Sequence, residues 1–317
     1  MGKQKFMMTK YFTLLLFIVL VGSQSALAQQ DAQYTQYMYN TVSVNPAYAG
    51  SRGHMSIGGL YRSQWVGLEG APVTQTFNIH TPLSIRGVGV GVSFVNDVIG
   101  PTSEQNIDLD LSYTIPTGYE GKLSFGFKAS AHLLDIRFSE LTVDNTQGMD
   151  GTLQMDIDNR FSPNFGAGVY YHTDRFYAGL SIPRLLETEH FQESTLSVAR
   201  EQMNWYFITG YVWDLNPFLK FKPALLTKMV QGAPLQVDAS ANFLFNEKFI
   251  LGAAYRWDAA VSGMFGFQVS DQLLIGVAYD RETTALGGTT FNDGSFEVVL
   301  RYDFIRAIGN LKSPRFF

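Results

Sequence analysis

The chain has 317 residues, no cysteine, 16% charged and 14% aromatic side chains, and a net charge of −5. The lack of cysteine excludes a lipid-modified N-terminus, disulfides, zinc–thiolate sites and iron–sulfur clusters. So little charge, against about 25% in soluble domains, is too little to cover a water-exposed surface, and its negative sign argues against nucleic acid or anionic lipid as a main partner.

Residues 1–28 read as a cleavable export signal. Lys3, Lys5 and Lys10 precede an apolar run from Tyr11 to Val21, shorter than the roughly 18 residues of a membrane-spanning helix, and Ala26-Leu27-Ala28 supplies a small-x-small cleavage site. The mature chain is expected to start at Gln29. Losing three lysines and no acid takes its net charge from −5 to −8.

Residues 29–53 carry Tyr34, Tyr37, Tyr39 and Tyr48 among asparagines and glutamines. Such a segment buries poorly against lipid. It is expected to lie on the periplasmic side as a partial plug of a barrel mouth, meeting the inward-facing Asp108, Asp110 and Asp238.

Period-2 patterning from 54 to 304 predicts strands near 54–64, 73–80, 88–96, 105–114, 122–134, 164–172, 176–182, 204–213, 219–228, 235–245, 249–256, 260–270, 273–280 and 294–304. Ile107, Leu109, Leu111 and Tyr113 point away from Asp108, Asp110 and Ser112. Leu123, Phe125, Phe127 and Leu133 oppose Lys128, Ser130 and His132; Phe296, Val298, Leu300, Tyr302 and Phe304 oppose Glu297, Arg301 and Asp303. A soluble sandwich shows the same alternation. An export signal, low charge and aromatics at strand ends (Trp65, Tyr113, Trp205, Trp213, Phe245, Phe249, Trp257, Tyr279 and Phe304) select a membrane barrel. Only helices and closed barrels satisfy every backbone group in a bilayer. The expected fold is therefore all-β: a transmembrane antiparallel β-barrel of the outer membrane with about 14 strands, an even number.

The longest connections, 135–163, 183–203 and 281–293, all follow odd-numbered strands, and short ones such as 173–175 and 246–248 follow even-numbered strands. Outer-membrane barrels have long outer loops and short periplasmic turns, so the long loops are expected outside and both termini in the periplasm. Of the eleven prolines only Pro223 falls within a predicted strand, an awkward place in a barrel without edges.

No Gly-x-Ser-x-Gly, His-Glu-x-x-His or phosphate-loop pattern occurs. Gly87-Val88-Gly89-Val90-Gly91-Val92 reads as a strand with a bare inner face. His80, His132 and His172 fall on inward faces, where they read as lumen histidines; a lumen-edge hydrolase is the rival reading. The three long loops hold twelve acids against five bases. Calcium suits such oxygen ligands, but no regular calcium-loop spacing is present. No catalytic, cofactor or metal residue is assigned. The tail, 305–317, is basic through Arg306, Lys312 and Arg315, has no acid and ends in Phe316 and Phe317.

Several segments together closely resemble one family. They are Asp31-Ala32-Gln33-Tyr34-Thr35-Gln36-Tyr37-Met38-Tyr39-Asn40, Val44-Asn45-Pro46-Ala47-Tyr48-Ala49-Gly50-Ser51, Tyr61-Arg62-Ser63-Gln64-Trp65-Val66-Gly67 and Gly70-Ala71-Pro72-Val73-Thr74-Gln75-Thr76. Further on come Val95-Asn96-Asp97, Ile99-Gly100-Pro101-Thr102-Ser103, Leu123-Ser124-Phe125-Gly126, Pro163-Asn164-Phe165-Gly166, Gly168-Val169-Tyr170-Tyr171 and Lys312-Ser313-Pro314-Arg315-Phe316-Phe317. In order and combination they resemble the PorP/SprF outer-membrane proteins linked to type IX secretion in Bacteroidetes. Ala32 and Phe316 stand where that family often has proline and tyrosine. The resemblance implies a barrel that assists export or surface attachment of secreted proteins, gliding adhesins among them, without enzymatic activity. Other type IX secretion components, a secreted surface protein and outer-membrane lipid are the implied partners. Arg315, Phe316, Phe317, Asn45, Pro46 and Tyr48 are the candidate partner-interface residues. Asn45-Pro46-Ala47 also resembles an element of fatty-acid-transporter barrels, whose N-terminal hatch keeps a solute pore open as the alternative.

Overall fold

The computed structural model describes residues 33–140, 156–186, 202–289 and 292–305. The predicted signal, much of the two longest loops, and the tail from 306, with Arg315, Phe316 and Phe317, lie outside the described residues.

The strands are β1 (Met55–Ser63), β2 (Val73–Pro82), β3 (Val88–Ile99), β4 (Thr102–Thr117), β5 (Gly121–Ile136), β6 (Ile157–His172), β7 (Phe176–Ile182), β8 (Asn204–Tyr211, continued beyond Val212 by Trp213–Asn216), β9 (Leu219–Val230), β10 (Gln236–Phe245), β11 (Phe249–Arg256), β12 (Ala260–Gln268), β13 (Leu273–Glu282) and β14 (Ser295–Phe304). Each pairs antiparallel with its neighbours in sequence, and β1 pairs with β14 from Met55↔Phe304 to Ser63↔Phe296, which closes the cylinder. All fourteen predicted strands are present.

β4, β5 and β6 run longer than the patterning predicted, at 16 residues each. At about 3.3 Å per residue this is roughly 53 Å of strand, more than a tilted crossing of an apolar band about 25 Å tall requires. Their excess carries Glu104, Asp135, Asp158 and Asn159, beyond the reach of the apolar pattern.

The longer strands also place Pro116 and Pro163 inside β4 and β6, beside Pro223 in β9. Pro223 keeps its register with Ala241 on β10, while the ladder to β8 skips it between Phe221↔Trp213 and Ala224↔Gly210. The missing N–H therefore falls on the β8 side, where the strand breaks at Val212. Pro163 pairs with Ala131 on β5, and β7 runs alongside β6 only from Ala167 to His172, so its missing donor interrupts no second ladder.

Outward positions are apolar and exposed, among them Phe77, Leu109, Phe127, Val261, Leu300 and the strand-end Tyr113, Trp205, Trp213 and Phe304. Inward positions are buried, and many are polar or small, with a set of large apolar and tyrosine side chains among them. The connections after odd-numbered strands gather at one end, the long-loop rim; the turns after even-numbered strands form the short-turn rim, where Phe304 ends β14.

Candidate functional site in the occupied lumen

Residues 33–53 fill the inside of the barrel. They form three single turns, Tyr37–Tyr39, Thr41–Val44 and Pro46–Tyr48, too short to hold without tertiary support. The third is set locally. The Asn45 side chain accepts a hydrogen bond from the Ala47 N–H at 3.0 Å, and Pro46 occupies the first position, where its missing N–H costs nothing.

One side of the lumen is ionic. Arg62 on β1 donates through Nη1 to Asp280 on β13 at 2.6 Å and to Glu297 on β14 at 3.3 Å. Two carboxylates exceed one guanidinium, and the segment supplies the remaining donors. Glu297 accepts the Thr35 and Gln36 backbone N–H groups at 2.9 and 2.8 Å, and the Thr35 hydroxyl donates to Asp280 at 2.6 Å. At the short-turn rim Arg52 donates to both Asp303 oxygens at 3.2 and 2.9 Å, and Ser56 donates to the same carboxylate at 2.7 Å. Tyr39 lies between Lys222 and Arg301, 5.6 and 5.5 Å from its ring centroid, so its π face meets cations.

The other side is apolar. Tyr37, Val42, Val44, Ala47 and Tyr48 pack with Tyr170, Tyr177, Tyr206, Ile208 and Leu226 of the inner wall. The rings of Tyr48 and Tyr170 meet edge to face at 5.4 Å.

Wall glycines make the room. A Cβ on Gly126 would fall on the Ala47 amide nitrogen, one on Gly168 on the Asn45 side-chain oxygen, and one on Gly89 on the Ala49 carbonyl oxygen. The bare inner face of the glycine–valine run on β3 is thus the seat of Ala49, which also accepts the Ser112 hydroxyl at 2.7 Å.

The candidate residues Asn45, Pro46 and Tyr48 are buried in this seat. Asn45 donates to the Val169 carbonyl at 3.1 Å. A partner could touch them only by entering the lumen. Asp108 and Asp110 face inward as expected, but they bind Lys128 at 2.8 and 3.4 Å rather than the segment directly; Lys128 in turn donates to the Ser43 carbonyl at 3.3 Å. Asp238 faces Tyr37 and is held by Arg256 at 2.8 Å. Arg52, Arg62, Asp280 and Glu297 are anchors that sequence reasoning missed as a set. The signal of Arg62, Asp280 and Glu297 was charge on otherwise small or apolar inward faces; Arg52, in the segment itself, carried no such signal.

The histidines serve separate places. His80 Nδ1 accepts the Gly50 N–H at 3.3 Å, His132 Nε2 lies 3.7 Å from Glu104, and the His172 ring lies 5.4 Å from that of Tyr170. His172 pairs with Lys122, ten residues along β5 from His132, about 33 Å in an extended strand. His132 and His172 therefore do not share a site, whereas His80 and His172 flank the Tyr48–Tyr170 ring pair.

At the short-turn rim an open pocket of about 550 Å³ lies beside the end of the segment, lined by Gly50, Leu83, Ile85, Tyr113, Lys122 and His172. On the opposite rim one foot of the first long loop is clasped: Ser139 donates to Asp156 through its N–H and hydroxyl at 2.9 and 2.8 Å. These bonds, the backbone one foremost, hold the Asp156 carboxyl below its usual range.

An apolar outer belt, aromatic strand ends and a closed ladder around a polar, occupied interior define a β-barrel membrane protein of the outer-membrane type. The chain matches the family described as type IX secretion system membrane protein PorP/SprF over residues 26–302, and it belongs to that family. No curated protein matches it. Among solved structures it is similar to the Acinetobacter baumannii outer-membrane protein Omp33 (9% identity, 79% of this chain and 98% of that one, TM-score 0.46). It is also similar to the Ralstonia pickettii toluene transporter TbuX (9%, 82% and 91%, 0.49) and to a Pseudomonas aeruginosa FadL homologue (13%, 79% and 89%, 0.42).

Proposed function

We propose that this barrel serves type IX secretion as a sealed, non-enzymatic platform that holds a secreted surface protein, an adhesin for example, at the cell surface. The observation that carries the reading is the filled lumen. Residues 33–53 bind the wall near both ends, by the buried Arg52–Asp303 ion pair at one and by hydrogen bonds to the buried Glu297 and Asp280 at the other, and a solute path would have to break them. On this reading the long acidic loops face outward, the short turns face the periplasm, and the tail with Arg315, Phe316 and Phe317 meets other secretion components there. Asn45, Pro46 and Tyr48 contribute by seating the segment.

The test joins two measurements on the full-length protein. Reconstituted in planar bilayers it should show no large steady conductance, and affinity purification from native membranes should recover secretion components. A large constitutive conductance without those components would instead favour the solute pore with an N-terminal hatch.

A further inference from the structure

We infer that the N-terminal segment is threaded through the barrel from rim to rim, so that the mature N-terminus emerges among the long loops, on the opposite side of the membrane from the C-terminal end of β14. The depth of each contact carries this. Gln33 donates to Gln236 at 2.9 Å, and Gln236 is the first residue of β10, at the long-loop rim. Thr35 and Gln36 bind Glu297, two residues into β14 from the same rim. Asn40 accepts from Asn78 at 2.9 Å, midway along the wall. Ala49 meets Ser112, and Arg52 reaches Asp303 beside the last pair of the β1–β14 ladder. The chain then enters β1 at the short-turn rim.

Cleavage after Ala28 leaves four residues ahead of Gln33, a reach of at most about 14 Å. A strand of about ten residues spans the wall, so these four cannot return to the short-turn rim. The expectation that both termini share one side is therefore replaced by opposite exits. Threading also orders assembly. The segment runs directly into β1 at the short-turn rim, so its N-terminus can pass to the far rim only once the signal has been removed.

The lack of native cysteine makes the test clean. Q30C reports the N-terminal exit, E69C the exposed β1–β2 connection on the long-loop rim, and E120C the exposed β4–β5 turn on the short-turn rim. Each variant is first checked for heat-modifiable migration and for a mature start at Gln29, then labelled in intact cells with a membrane-impermeant maleimide. Q30C is expected to label like E69C and unlike E120C, whichever rim faces out. Labelling of Q30C like E120C would overturn the threading, as would labelling only after detergent or a retained signal. Should Q30C assemble poorly, amine-reactive labelling of the wild-type N-terminus, read by mass spectrometry, gives the same two outcomes. Both are independent of whether the barrel acts as a platform or a pore.

Discussion

Glu297 on β14 and Arg62 on β1 face each other across adjacent strands, both almost fully buried, and between them they fix the head of the luminal segment. Truncating one partner of a buried ion pair leaves the other uncompensated and costs about 3–5 kcal/mol. R62A strands two carboxylates, Asp280 and Glu297, and should lower the midpoint of heat-modifiable unfolding in detergent sharply. The triple variant R62M/D280N/E297Q removes all three charges but keeps only one of the two acceptor oxygens that Glu297 offers Thr35 and Gln36. It should recover part of the loss. Equal destabilisation by both variants would show that charge compensation is not what the cluster contributes.

The glycine seats make a second prediction. G126A drives a methyl group into backbone of the segment, and G168A drives one into the Asn45 side chain. Overpacking of this kind costs about 1–3 kcal/mol. Because the backbone at Ala47 cannot step aside as a side chain can, G126A should be the worse. G263A, on an outward face with nothing near its Cβ, should be close to neutral. Thermal midpoints of the three variants check the ranking. Bilayer recordings of G126A should add transient openings as the segment shifts.

Strand number, the two faces and the unequal rims were legible because a lipid-facing wall imposes period-2 alternation on every crossing. The overhang of β4 to β6 was not, since Glu104, Asp135 and Asp158 lie where no lipid selects a pattern. Asp108 and Asp110 were read as inward. That Lys128 would claim them depends on the β4–β5 register, which sets Asp110 opposite Lys128. Composition suggested a segment at one mouth of the barrel; the run of turns through the lumen and its direction were not legible. Short turns carry no periodicity, and the contacts that orient it, such as Thr35 with Glu297, join opposite ends of the chain.

Lipid contact makes the third prediction. Leu109 lies mid-strand on β4, about half exposed, opposite Val92 and Ala129. L109R puts a guanidinium in the apolar belt, at about 2–4 kcal/mol near the bilayer midplane. L68R, in the exposed β1–β2 connection, should have little effect on refolding into vesicles. Equal costs at both positions would mean that Leu109 does not face hydrocarbon.

The tail makes the fourth prediction. Phe304 completes the last ladder pair with Met55, and the rings of Tyr302 and Phe304 meet 4.8 Å apart on the outer face. The basic extension carrying Arg315, Phe316 and Phe317 has the composition of an interface anchor, where buried aromatics and a charge-assisted arginine bond recur. Truncation after Ala307 should leave a heat-modifiable barrel at normal abundance while abolishing co-purification of secretion components. R315A alone should weaken that co-purification about tenfold, the effect of losing roughly 1.4 kcal/mol. A truncated barrel that fails to assemble would place the tail in barrel folding instead, and one that retains its partners and secretes normally would remove it from the interface.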